Sequence, residues 1–297
     1  MKALFKKVVI SATAIGLFNL GLSYAEETKF TNKSLTKSEQ YISSAGERSG
    51  KSIKEHEVKK LVKEALDVVL ETNKVMYLLS QNKIDEAKNK LKDIKQKLNN
   101  LSTNYKIKKF PIDVSVIEIR GEFDIRTAEK LAQEAKKAVN ENDFVKGREI
   151  LNTLRDEFVI QTTYLPLNLY KNSIELADKF LSDGKIKSAI AQLQVAIGTL
   201  EVETTIIPRP LAIASILIED ASKIYKKDPN TALKLLQEAK NNIKLAKILG
   251  YIKTYGEVRP LLKEIDNVRN AIQKKQNKEG LFDKLKNEME NLKNLFK

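Results

Sequence analysis

Three stretches of this chain superimpose without a gap: LLSQNKIDEAKNKL (78–91), AVNENDFVKGREIL (138–151) and FLSDGKIKSAIAQL (180–193). Each carries a polar turn, then an apolar residue (Ile84, Phe144, Ile186) and a small residue three later (Ala87, Gly147, Ala189). A leucine follows four beyond that (Leu91, Leu151, Leu193). Asn82, Asn142 and Gly184 close the turns, and these residue types tolerate the left-handed conformation that ends a helix. A fourth copy, IYKKDPNTALKLL (224–236), is one residue shorter and replaces the turn with Asp228-Pro229. That pair reads as an N-cap followed by proline at the first helical position. Ala232, Leu236, Ala239, Ile243 and Ala246 continue a stripe at helical spacing. The pattern predicts helical hairpins whose arms cross closely at small residues.

A second phrase is also written twice. TTYLP (162–166) and TTIIP (204–208) share T-T-x-x-P and stand as far apart as Gly147 and Ala189. Val202, Thr204, Thr205, Ile206 and Ile207 are β-branched and favour extended backbone. The residue before each proline is pushed out of the helical region as well. The phrase is therefore the return connection between hairpins. In KKFPIDVSVIEIRGEF (108–123), Ile112, Val114 and Val116 alternate as they would in a strand. The expected fold class is all-α, a multihelical array of about four stacked helical hairpins. It is tetratricopeptide-like in spirit, with a small β patch from 112–119, 160–165 and 202–207.

The ends of the chain carry other information. Lys2, Lys6 and Lys7 precede an apolar run, Val8–Leu22, and Ser23-Tyr24-Ala25 offers an A-x-A-like cleavage site. Residues 1–25 read as a cleaved signal peptide, too short and wrongly flanked for a spanning helix. The expected location is the periplasm, with a soluble mature chain. There is no cysteine, which excludes a lipoprotein anchor, disulfides and thiolate chemistry. Residues 26–52 are polar, lack apolar periodicity and are expected to be a flexible leader, with a helical-hairpin body over 53–274. Within 275–297, Leu281, Leu285, Met289, Leu292 and Phe296 stripe a lysine-rich amphipathic helix. Such a helix docks on the body, docks on a second copy in a homo-oligomer, or rests weakly on a membrane surface through 281–296.

Charge and chemistry narrow the function classes. The formal net charge is +14, but of 53 cationic residues only Arg48, Arg120, Arg126, Arg148, Arg155, Arg209, Arg259 and Arg269 are arginine. Bidentate recognition of phosphate or guanine favours arginine, so nucleic acid is not an expected partner. The single histidine, His56, lies in the charged run KEHEVKK with no second histidine or cysteine to complete a transition-metal site. Phosphate-binding and calcium loops are absent from the sequence. Glu118, Glu122 and Asp124 beside Arg120 read as a charged strand edge rather than an acid–base pair. No catalytic residue, metal site or cofactor is expected, and the protein is not read as an enzyme. Thr162, Thr163, Tyr164, Thr204, Thr205 and Arg209 are the candidate partner-binding residues, because repeated connections on stacked hairpins gather on one face.

The stretch TTYLPLNLYKNSIELADKFLSDGKIKSAIAQLQVAIGTLEVETTIIP (162–208) resembles the core of the YfdX family of bacterial periplasmic proteins. It has the family's Tyr-x-x-Pro-Leu entry (one residue shorter here), an Ala-x-Lys-x-Leu helix, a polar turn, an Ala/Leu-striped helix and a Val-rich extended exit. EALDVVLETNKVMYLLSQNKIDEAKNKL (64–91) is similar to the family's first hairpin. The likeness spans roughly 55–220, and 221–297 is additional. The resemblance implies a helical, non-enzymatic periplasmic protein associated with acid and heat stress. Its expected partners are other proteins, either unfolding clients held in a holdase-like manner or, alternatively, one envelope complex served by a tetratricopeptide-like scaffold.

Overall fold

The structure is a computed structural model that describes residues 9–11, 35–276 and 280–294. The expected signal peptide and the first part of the polar leader lie almost wholly outside the described residues. Eleven helices and four strands occur among the described residues. The expected hairpins are α2 (Lys63–Ser80) with α3 (Ile84–Asn104), α4 (Ile125–Asn140) with α5 (Phe144–Thr153), α6 (Leu167–Ser182) with α7 (Ile186–Gly198), and α8 (Arg209–Ile224) with α9 (Pro229–Ile248).

Three of the turns share one geometry. Asn82, Asn142 and Gly184 have φ of 58°, 61° and 71°, the left-handed conformation that the sequence predicts. In each, the amide of the following residue reaches back to a carbonyl in the last turn of the helix: Lys83 to Leu78 at 2.9 Å, Asp143 to Ala138 at 2.9 Å, Lys185 to Phe180 at 2.8 Å. This is a Schellman closure, which satisfies carbonyls that the helix end would otherwise leave unpaired. The fourth hairpin turns on Asp228, whose side chain accepts from the Thr231 amide at 3.0 Å ahead of Pro229.

The strands fall where the sequence places them: β2 (Lys109–Ile119), β3 (Glu157–Pro166) and β4 (Glu201–Pro208). A short strand near the start of the chain, β1 (Val9–Ser11), pairs antiparallel with β4, with Ile10 opposite Val202. The sheet order is β1-β4-β3-β2. β2 lies at an edge, which accommodates Pro111; the carbonyl of Pro111 accepts instead from the Val62 amide at 2.8 Å.

The chain divides into two compact units, and the dividing points within described elements fall inside α1 (Lys37–Val58), β2, β3 and β4, after Ile53, Ser115, Val159 and Thr204. Unit 1 holds the first and third hairpins, with α3 against α6 and α2 against α7. Its core includes Leu91, Ile94, Leu98, Phe110, Leu165, Tyr170, Ile174 and Leu193. Unit 2 holds the second and fourth hairpins, with α4 against α9, together with α10 (Tyr255–Gln273) and α11 (Asp283–Asn294). Its core runs through Leu217, Leu235, Leu236, Ile243, Leu261 and Ile265. Alternate hairpins pack together, so the array differs from a solenoid in which each hairpin stacks on the next.

Two segments differ from the sequence reading. Residues 37–52, expected as part of a flexible leader, belong to helix α1 (Lys37–Val58). Its packed face is made of small residues: Ala45, Gly46 and Ser49 are buried, and a Cβ on Gly50 would stand 3.0 Å from the Phe158 ring. A test for large apolar side chains at helical spacing does not detect such a face. In α11, Leu285, Met289 and Leu292 are buried in the unit 2 core beside Phe282. That stripe closes the core, which leaves the membrane-surface reading of 281–296 without its apolar face; Phe296 lies outside the described residues.

Candidate functional site

The six candidate residues divide between two clusters, one in each unit. In unit 2, Pro208 ends β4 and starts α8, so Arg209 sits at the first helical position and its guanidinium turns inward. Its Nε donates to Glu118 Oε1 at 2.7 Å and its Nη1 to Asp156 Oδ1 at 3.3 Å. The Arg209 amide donates to the Asp156 carbonyl at 2.9 Å, and the Gly121 amide donates to Asp156 Oδ1 at 3.2 Å. Tyr251 extends the network: its hydroxyl accepts from the Asp156 amide at 3.0 Å and donates to Glu157 Oε2 at 2.9 Å. Arg155 donates to Glu157 Oε1 at 2.7 Å, and Arg120 to Glu118 Oε2 at 2.9 Å. Three carboxylates thus meet three guanidinium groups, and Asp156 and Glu157 are buried.

Helix α1 covers this cluster. A Cβ on Gly46 would come within 2.4 Å of Arg209 Nη2, so only glycine lets the helix approach the guanidinium this closely. The environment separates the two carboxylates on either side of Arg209. Burial pushes the Asp156 carboxyl up, with Arg209 and the Gly121 amide opposing. Burial works in the same direction on Glu118, but Arg120 and Arg209 outweigh it and hold Glu118 below the ordinary value. Burial also drives the Tyr251 hydroxyl far up, so it stays protonated as a donor. Chemically, the arrangement is a charge-balanced lock on Arg209 rather than a surface offering that cation to a ligand. Thr205, also in unit 2, is half-buried on β4.

In unit 1, Thr162 is buried on β3, while Thr163, Tyr164 and Thr204 are half-buried. Lys109 Nζ lies 5.1 Å from the Tyr164 ring centroid and pairs with Glu203, with Glu201 at 3.5 Å. The Glu203 hydrogen bond raises the Lys109 ammonium above its usual value, and burial raises the Tyr164 phenol. The neighbouring strands β3 and β4 therefore bring Thr162, Thr163, Tyr164 and Thr204 into one sheet, with Thr162 buried and the other three half-buried. His56 is exposed in the last turn of α1. Among the described residues no three His, Asp or Glu side chains are grouped to hold a metal, and no helix is long and apolar enough to cross a membrane.

The surface that sequence reasoning missed is the second hairpin. Gly147 is the only buried residue of α5, and α4 buries only Ala128, Ala135 and Ala138. Phe144, Val145 and Leu151 are 60%, 72% and 53% exposed, and Val139 at the end of α4 is exposed beside them. Phe144 and Leu151 lie two turns apart on one face of α5. The signal was present in the composition of α4. Its buried positions are all alanine, where α2, α6 and α8 bury leucine, isoleucine and valine.

Comparison with known proteins agrees with the resemblance read from the sequence. Residues 68–205, from within α2 to β4, match the model of the YfdX protein family. A solved structure of YfdX from Salmonella Typhi aligns over 50% of this chain and 92% of its own, at 14% identity and a TM-score of 0.35. A likeness at that level carries no argument about individual residues. No curated protein matches the chain.

Proposed function

Taking residues 68–205 as a YfdX region, we propose that this is a non-enzymatic, stress-associated protein of the periplasm that holds unfolding client proteins. The lysine-flanked apolar run and the A-x-A-like site within residues 1–25 support the location. The observation that carries the reading is the α4–α5 hairpin, where Val139, Phe144, Val145 and Leu151 face solvent together. Exposed apolar side chains grouped on one element mark interaction sites, and this hairpin lies within the YfdX region. Unfolding chains expose apolar segments of no fixed sequence, which exposed apolar side chains can meet without a shaped pocket. The excess of lysine over acidic residues elsewhere keeps the loaded complex dispersed and favours acidic clients.

The test is aggregation of a heat- or acid-unfolded client with equal molar protein, followed by light scattering. Suppression that is lost in Phe144→Asp places holding on α4–α5. The side chain is exposed, so this variant should change stability by less than about 0.5 kcal/mol. No suppression at several-fold excess removes the holdase reading. One saturable partner recovered in a pull-down would then favour a scaffold serving a single envelope complex.

A further inference from the structure

Unit 2 also holds a groove whose lining includes none of Val139, Phe144, Val145 and Leu151. It opens between the start of α4, the last turns of α9 and the start of α10, with a volume of about 360 Å³. Its floor is apolar: Val258 and Leu262 are buried members of the unit 2 core. Ile125 and Ile248 form half-buried walls. That volume lies within the range of small-molecule sites, roughly 300–1,000 Å³, which are mostly apolar with a few placed polar groups.

The charged groups here are predominantly of one sign, beside the neutral polar side chains of Asn241 and Tyr255. Lys244 and Lys247 both line the groove, and their spacing puts them on one face of α9. Lys244 is exposed and has no ion-pair partner among the described residues. Lys247 Nζ donates to the carbonyls of Ile252 and Lys253 at 2.9 and 2.6 Å, which fills hydrogen-bonding capacity but leaves its charge uncompensated. Glu129 on α4 is the single carboxylate of the lining. Two cations therefore stand against one anion above an apolar floor. A neutral ligand would leave that excess unanswered, and a cationic one would be repelled.

We propose that this groove binds an amphiphile of the fatty-acid class, with one anionic head and an unbranched alkyl chain. The chain lies on Val258 and Leu262, and the carboxylate takes a charge-assisted hydrogen bond from Lys244. Each methylene that enters the groove tightens binding about fourfold.

Calorimetric titration of the purified protein with octanoate, decanoate and decyltrimethylammonium, all below their micelle thresholds, tests this. Decanoate should bind one to one and roughly fifteen-fold tighter than octanoate, which has two fewer methylenes. The cation of the same chain length should bind at least about tenfold more weakly. Lys244→Gln should cost decanoate about tenfold while leaving the helical circular dichroism unchanged, and Lys244→Glu should reverse the head-group preference. Phe144→Asp should leave decanoate binding intact, which separates this site from client holding. Equal binding of both head groups, no saturable decanoate binding at millimolar concentration, or an unchanged affinity in Lys244→Gln would overturn the proposal.

Discussion

The second and third hairpins are built to the same plan and end up in different roles. Both close on a left-handed residue, Asn142 or Gly184, with matching amide-to-carbonyl bonds. Both cross at a buried small residue, Gly147 or Ala189. Yet α6 and α7 bury Leu167, Tyr170, Ile174, Leu181 and Leu193, whereas α4 and α5 bury three alanines and a glycine. Turn chemistry is enough to make a hairpin. Side-chain volume opposite the crossing decides whether that hairpin becomes core or surface.

The sharpest way to break this contrast is to truncate the same position in both copies. Leu193 is fully buried, and Leu151, its counterpart, is 53% exposed. Leu193→Ala should cost about 2–5 kcal/mol in urea unfolding, as buried leucine truncations do, while Leu151→Ala should stay within about 0.5 kcal/mol. Equal losses would mean that α5 packs in solution as tightly as α7. The turns should behave in the opposite way, as equals. Asn82→Ala and Asn142→Ala each place a Cβ-bearing residue without a compensating side chain at positive φ, and each should lose about 1 kcal/mol. A loss at Asn82 alone would show that the second hairpin does not hold its closed turn.

The smallest effects distinguish the two carboxylates that flank Arg209. The Asp156 carboxyl is raised by burial from the ordinary 3.8, so the folded state takes up its proton before the unfolded state does. Relative to Asp156→Asn, the native protein should therefore gain stability as pH falls through the folded Asp156 value, and the gain should level off below 3.8. Against burial, Arg120 and Arg209 lower Glu118 from 4.5. Its contribution is full above that value and is lost as pH falls through the lower folded value, so the advantage over Glu118→Gln should shrink there. Thermal melts of both variants across this range check the two opposite slopes. Parallel slopes would show that the two carboxylates titrate as one group.

Much of this was legible in the sequence because it depends on neighbours a few residues apart. Asn82, Asn142 and Gly184 mark turns by their own tolerance of positive φ, and T-T-x-x-P marks strands by β-branching and the effect of proline. The Leu91 and Leu193 stripe follows from helical period alone. What pairs with what was not legible. Arg209 reads as an open cation in a connection, but its partners Glu118 and Asp156 lie 91 and 53 residues earlier. The face of α1 is invisible to hydrophobic periodicity because close approach, at Gly46 and Gly50, is achieved by removing side chains. The exposure of Phe144 was signalled only by composition, in the alanines at the buried positions of α4.

The alternation of hairpins also governs the order of events as the chain is made. Residues up to Asn104 complete the first hairpin, but its packing partners begin at Leu167, and the hairpin synthesised between them belongs to the other unit. Until α6 and α7 are made, Val68, Val75, Leu91 and Leu98 have only their own hairpin to pack against. Contacts this distant in sequence slow folding, since the intervening loop must close before packing rewards it. Apolar surface left open during such a delay favours aggregation, and this is the same need for protection that the finished protein is proposed to meet in others.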